Sequence, residues 1–150
     1  MKILFICTGN ACRSALAERI LYKMLSENGI TGVEVSSCGT KFYGDLDRDE
    51  TMCHIAREHG YFMGGKAVLM DEVLLNSADL IIVMTEHHRD EVTRVLKYDN
   101  WNRIVRFNDY CFGESTDLQD PHYQTEHVYR ACFDTIERGC AKIIEKLKEL

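Results

Sequence analysis

Proline is nearly absent from this sequence, with Pro121 the only one in 150 residues. Nothing reads as a linker, a repeat or a low-complexity tract, so one domain spanning residues 1–150 is expected, long enough for a genuine core. Positive charge is also scarce. Lys and Arg number 18 against 24 Asp and Glu, and the net charge of −6 argues against a general nucleic-acid binder, which carries a basic face. One local site can still be positive on an acidic body. Long apolar runs are missing as well: the N-terminal Ile3–Cys7 stretch is five residues, too short for a signal peptide or a membrane span. A cytoplasmic protein with no membrane partner is expected. The usual metal spacings are lacking, since there is no Cys-x2-Cys and no His-x3-His, and no metal site is expected.

Cysteine, by contrast, is plentiful. Seven residues (7, 12, 38, 53, 111, 132 and 140) make an odd set, and without a signal peptide reduced thiols are the default. Most should be small buried apolar residues. The apolar pattern alternates between short runs and helical periods. Strands are expected at Lys2–Cys7, Val33–Cys38, Leu80–Met84 and Arg103–Phe107, and helices at Ser14–Asn28, Arg48–His59, Asp71–Asn76 and Glu86–Leu96. A loop, Gly39–Asp47, follows the second strand. A polar loop, Asn108–Gln124, precedes a last helix with apolar residues at 128, 132, 136, 140, 143, 147 and 150. This order predicts an α/β fold with a four-stranded parallel sheet and helices on both faces. In such folds ligands bind beyond the carboxyl ends of the strands.

Two stretches share the spacing Cys-x5-Arg: Cys7 to Arg13 and Cys132 to Arg138. In the second, Cys132 sits on the apolar stripe of the last helix and Arg138 lies about 240° around it, on another face. That copy reads as packing. The first ends a strand, carries Gly9 and Asn10 for left-handed or tight backbone, and opens into a helix. Such a loop can turn its N–H groups inward as an anion nest, with unpaired donors of a helix N-terminus behind it. Arg13 can grip two phosphoryl oxygens, and a thiol in this positive field favours the thiolate. A thiolate within a phosphate-binding loop points to nucleophilic attack at phosphorus. The glycine-rich NTPase loop is a poor alternative, because no lysine follows the glycines. Displacing a leaving group also needs a proton donor, and Asp120, before the one proline, is the candidate.

Together these residues resemble the low-molecular-weight protein tyrosine phosphatase family. The similarity runs through FICTGNACRSALAE, VSSCGT, SADLIIVMTEHH, DPHY and the closing helix. It implies that Cys7 forms a phosphocysteine and that the backbone of Thr8, Gly9, Asn10, Ala11, Cys12 and Arg13, with the Arg13 guanidinium, holds the phosphoryl oxygens. Asp120 would serve as acid and then base, Ser14 would donate to the Cys7 sulfur, and Asn10 would keep the loop in shape. No metal or other cofactor would be required. Phe42, with Tyr43 as its neighbour, and Tyr123 opposite would wall the substrate ring, and Cys12 would trap oxidised Cys7 as a disulfide. Phosphotyrosine proteins or peptides would be the partners of a monomer or weak dimer.

Several residues depart from that pattern. Ala15 and His122 stand where the family usually has proline and tyrosine. Gly65 stands where it often has a histidine supporting the loop asparagine, so weaker support of Asn10 is expected. Ala11 replaces both the isoleucine typical of tyrosine phosphatases and the threonine of related protein-arginine phosphatases, widening the floor. An arginine phosphatase is therefore one alternative. An arsenate reductase, with Cys111 as part of a thiol relay, is another. A non-enzymatic phosphoprotein-binding module is the third.

Overall fold

The computed structural model describes residues 1–150, the side chain of Asp99 excepted. Four parallel strands form one sheet in the order β2-β1-β3-β4: β1 (Lys2–Cys7), β2 (Glu34–Gly39), β3 (Leu80–Val83) and β4 (Ile104–Arg106). The order reverses at β1, which pairs with β2 on one side and β3 on the other. A crevice therefore opens beyond the carboxyl end of β1, at Cys7. Side chains of β1 alternate between two apolar layers, as strand geometry requires. Ile3 and Phe5 pack under α1 (Arg13–Glu27), α2 (Glu50–Glu58), α5 (Phe107–Phe112) and α6 (Glu126–Lys148). Leu4 and Ile6 face α3 (Glu72–Ser77) and α4 (Glu86–Thr93). The chain is thus a single α/β domain with helices on both faces of the sheet.

Local chemistry fixes several helix starts. The side chains of Asp49 and Asp71 accept from the backbone N–H groups of Met52 (2.9 Å) and Leu74 (2.8 Å). Thr85 and His88 cap α4 reciprocally. Because Asp49 is the cap, α2 begins at Glu50 and the expected helical residue Arg48 lies outside it. The expected span Glu86–Leu96 stops at Thr93, and a 3₁₀ turn, Tyr98–Arg103, leads into β4.

The expected polar loop Asn108–Gln124 contains α5 instead. Phe107, Asn108 and Cys111 are buried in that helix, and Gly113 closes it in the left-handed conformation at φ 67°. Gly139 of α6 makes the close approach possible, since a Cβ there would lie 2.2 Å from the Phe107 ring. Leu150, counted on the apolar stripe of the last helix, lies past its end and is exposed.

Candidate active site

Between Cys7 and Arg13 the backbone is anchored almost residue by residue. The carbonyls of Cys7 and Thr8 accept from Thr40 N–H and Lys41 N–H, both at 3.0 Å, and that of Ala11 from Asp49 N–H at 2.8 Å. The Cys12 carbonyl accepts from Leu16 N–H at 2.9 Å, inside α1. The Asn10 carbonyl accepts from the Arg48 guanidinium. In a trans peptide the N–H points opposite to the carbonyl, so tying these carbonyls to the body of the fold turns the following N–H groups toward the cleft. Gly39 permits the approach, because a Cβ there would lie 2.6 Å from the Thr8 carbonyl.

Asn10 adopts φ 55° and is fully buried. Its amide donates to Ser14 Oγ and Ser37 Oγ, both at 2.9 Å, while its Oδ1 accepts from Val68 N–H at 2.9 Å and Arg48 Nη1 at 3.2 Å. Expecting weaker support for Asn10 was therefore wrong. Gly65 carries no side chain, but Arg48 and the Val68 amide supply the hydrogen bonds. Sequence spacing concealed this, since Arg48 is 38 residues from Asn10 and reads as part of a helix.

Cys7 Sγ lies 2.9 Å from Ser14 Oγ. Asn10 donates to that oxygen, and the one Ser14 proton has two acceptors in reach, the Cys7 sulfur and, farther off at 3.4 Å, the Cys38 carbonyl. Beneath Thr8 stands His88, which sequence reasoning missed and whose only signal was its place three residues after Thr85. Thr85 N–H donates to His88 Nδ1 at 3.2 Å, so the ring proton sits on Nε2 and is donated to Thr8 Oγ1 at 2.9 Å. Desolvation first, then the positive charge of Arg13, lowers its pKa to about 4.

Arg13 is buried and donates from Nη1 to the Leu118 carbonyl at 2.7 Å, while its Nη2 lies 3.7 Å from Asp120 Oδ2. The Asp120 segment is itself fastened. Leu118 N–H donates to the Met84 carbonyl at 2.9 Å, and Asp117 Oδ1 accepts from Arg106 Nη1 and Glu86 N–H, both at 3.0 Å. His122 N–H bonds Asp120 Oδ1 at 3.0 Å, leaving Oδ2 toward Arg13.

Cys7, Thr8, Gly9, Ala11, Cys12, Arg13, Asp120 and Tyr123 surround a cavity of about 560 Å³. Tyr43, not Phe42, lines its wall: the Tyr43 ring packs on Gly9, 3.5 Å from where a Cβ would be. Tyr123 holds φ 63°, rare for an aromatic residue, and is 93% exposed at the rim, with its ring 3.9 Å from that of His122.

All seven cysteines are free thiols. Burial pushes the Cys12 thiol well above its ordinary pKa, with nearby Cys132 and Asp49 adding to the shift. Cys132 is buried in the core as expected, and it stands close enough to the loop for Arg13 to act on it. Arg138 points away and pairs with Asp134 at 3.0 Å. Cys111, the candidate relay thiol, is buried in α5 against Gly139 of α6, and burial pushes its pKa to about 12.

A family model described as low molecular weight phosphotyrosine protein phosphatase matches residues 2–150. The chain belongs to that family. Among its relatives, the Escherichia coli K12 low molecular weight protein-tyrosine-phosphatase Etp is 31% identical over 151 residues, covering 97% of this chain and 94% of that protein. A protein-arginine-phosphatase from Bacillus subtilis is 27% identical over 150 residues, covering 99% and 98%. A solved protein tyrosine phosphatase from Entamoeba histolytica superposes with a TM-score of 0.91 at 27% identity, over 99% of this chain and 97% of that one. The phosphatase family thus includes proteins named for two different phosphoresidues.

Proposed function

We propose that this phosphatase hydrolyses phosphotyrosine in proteins or peptides through a phosphocysteine on Cys7. The observation that carries the reading is the convergence on one cavity of the Cys7 sulfur, the inward N–H groups of the loop, Arg13 and Asp120. The Cys7 thiolate attacks phosphorus as the bond to the tyrosine oxygen breaks, and the Asp120 carboxyl gives its proton to that oxygen. Loop N–H groups and the Arg13 guanidinium hold the three equatorial oxygens, which carry the spread charge. Water then attacks phosphorus and yields a proton to the Asp120 carboxylate. Cys7 leaves as thiolate, stabilised by the Ser14 hydroxyl, and inorganic phosphate departs. Tyr43 and Tyr123 flank the ring of the substrate.

Phosphoarginine is the second substrate to test. Asp47 and Asp49 line the same cavity, and carboxylates suit a guanidinium. Ala11 adds only a methyl group to the floor. Phosphate release from a phosphotyrosine and a phosphoarginine peptide, by wild type and Cys7→Ser without added metal, tests both. Turnover of phosphotyrosine that vanishes in Cys7→Ser supports the proposal. A preference for phosphoarginine transfers it to the second substrate, and turnover persisting in Cys7→Ser overturns it.

A further inference from the structure

Of the five loop carbonyls that the fold holds away from the cleft, four are held by backbone N–H groups. The fifth, on Asn10, is held by a side chain, that of Arg48. We propose that Arg48 is a positioning residue for the phosphoryl site, fixing the Asn10–Ala11 peptide so that the Ala11 N–H faces the transferring group. The inference rests on the proposed reading of the Cys7 loop as the reacting site.

Arg48 does not line the cavity, so its hydrogen bonds reach the chemistry through Asn10. It binds that residue twice, at the carbonyl and at Oδ1. Asn tolerates the left-handed state better than most residues, and here the bonds around Asn10 fix it in that state. Arg48 itself is aimed from behind, with Nε donating to the Gly64 carbonyl at 3.0 Å. Segments 46–48 and 64–68 are clamped together by Ala67 N–H to the Leu46 carbonyl at 3.2 Å and by the Lys66–Asp47 ion pair. Gly65 beside it holds φ 85°, a backbone state that favours glycine. The guanidinium also stands within electrostatic range of Cys7.

The geometry makes a specific demand on kinetics. A loop N–H that swings away weakens the hold on a phosphoryl group whose charge is greatest in the transition state, so kcat falls while KM changes little. Losing one such donor costs about 10²–10³ in kcat where the donor is fully lost, and partial misalignment costs about tenfold or more.

The experiment measures kcat, KM, and inhibition by vanadate and by phosphate for wild type, Arg48→Met, Arg48→Lys, Asn10→Ala and the Arg48→Met/Asn10→Ala double variant. An aryl phosphate serves as substrate, and Tm reports folding. Arg48→Met is expected to lose at least about tenfold in kcat at near-constant KM, and to weaken vanadate binding more than phosphate binding. Arg48→Lys, which retains a donor but not the fork, should recover part of the loss. In the Asn10→Ala background the Arg48→Met change should cost less than it does in wild type, because the Oδ1 bond is already gone and only the carbonyl bond is left to lose. Full additivity, or a kcat and vanadate-to-phosphate ratio unchanged in folded Arg48→Met, overturns the proposal. Failure of wild type to turn over the substrate would instead strike the reading of the loop itself.

Discussion

Asp120 and Cys12 carry the sharpest expectations at the scale of single residues. Asp120 lies beside Arg13 with one carboxylate oxygen free of the His122 amide. If it protonates the departing oxygen, Asp120→Ala should lower kcat about 10²–10⁴-fold on phenyl phosphate, a poor leaving group, and far less on p-nitrophenyl phosphate. Equal losses on both would remove Asp120 from the acid role. Cys12 is proposed to trap oxidised Cys7. Peroxide converts the Cys7 thiolate to a sulfenic acid, and attack by the Cys12 sulfur forms the disulfide with loss of water. Dithiothreitol should therefore restore activity to peroxide-treated wild type but not to Cys12→Ser after longer exposure. Recovery of both to the same extent would dismiss Cys12 as the partner.

Among the elements, the contact between α5 and α6 and the fastening of the Asp120 segment decide most. Gly139→Ala places a Cβ against the fully buried Phe107 ring. The helix-propensity gain of about 1 kcal/mol is outweighed by overpacking, for a net loss of about 1–2 kcal/mol. Calorimetry should show Tm lower by about 2–8 °C. An unchanged Tm would mean that Phe107 has somewhere to move. Arg106 binds Asp109 at 2.8 Å and Asp117 at 3.0 Å, holding α5 to the segment that carries Asp120. Arg106→Met should lower kcat on phenyl phosphate about tenfold, through loss of acid placement, with Cys7 alkylation by iodoacetate unchanged. Slower alkylation would show that the damage reaches the phosphate loop as well.

At the scale of the whole molecule, the buried His88 couples stability to pH. Its folded-state pKa of about 4 lies below the ordinary 6.5 of the unfolded chain. Between those values the unfolded state binds the extra proton, so this contribution to stability is full above about pH 6.5 and is lost progressively toward pH 4. Urea denaturation from pH 7 to 5 should show a fall in wild type that is shallower in His88→Gln, in which the amide still offers Thr8 a donor. Parallel curves would place the acid sensitivity elsewhere.

What the sequence determined alone was whatever is contiguous or periodic. Cys7 to Ser14 forms its cradle from one unbroken strand–loop–helix stretch, and the alternation of apolar runs with helical periods specified a parallel sheet covered on both faces. Asp120 stood out because it precedes the only proline. Tertiary structure decided the rest. Helix α5 was hidden because its sequence is short and mixed, and its burial depends on Gly139, 32 residues after Phe107. Which of Phe42 and Tyr43 faces the cleft depended on the course of an irregular loop. The support of Asn10 came from Arg48, Ser37 and Val68, three separate segments. A hydrogen bond between distant residues leaves no period in the sequence, because nothing but the packed fold brings its two ends together.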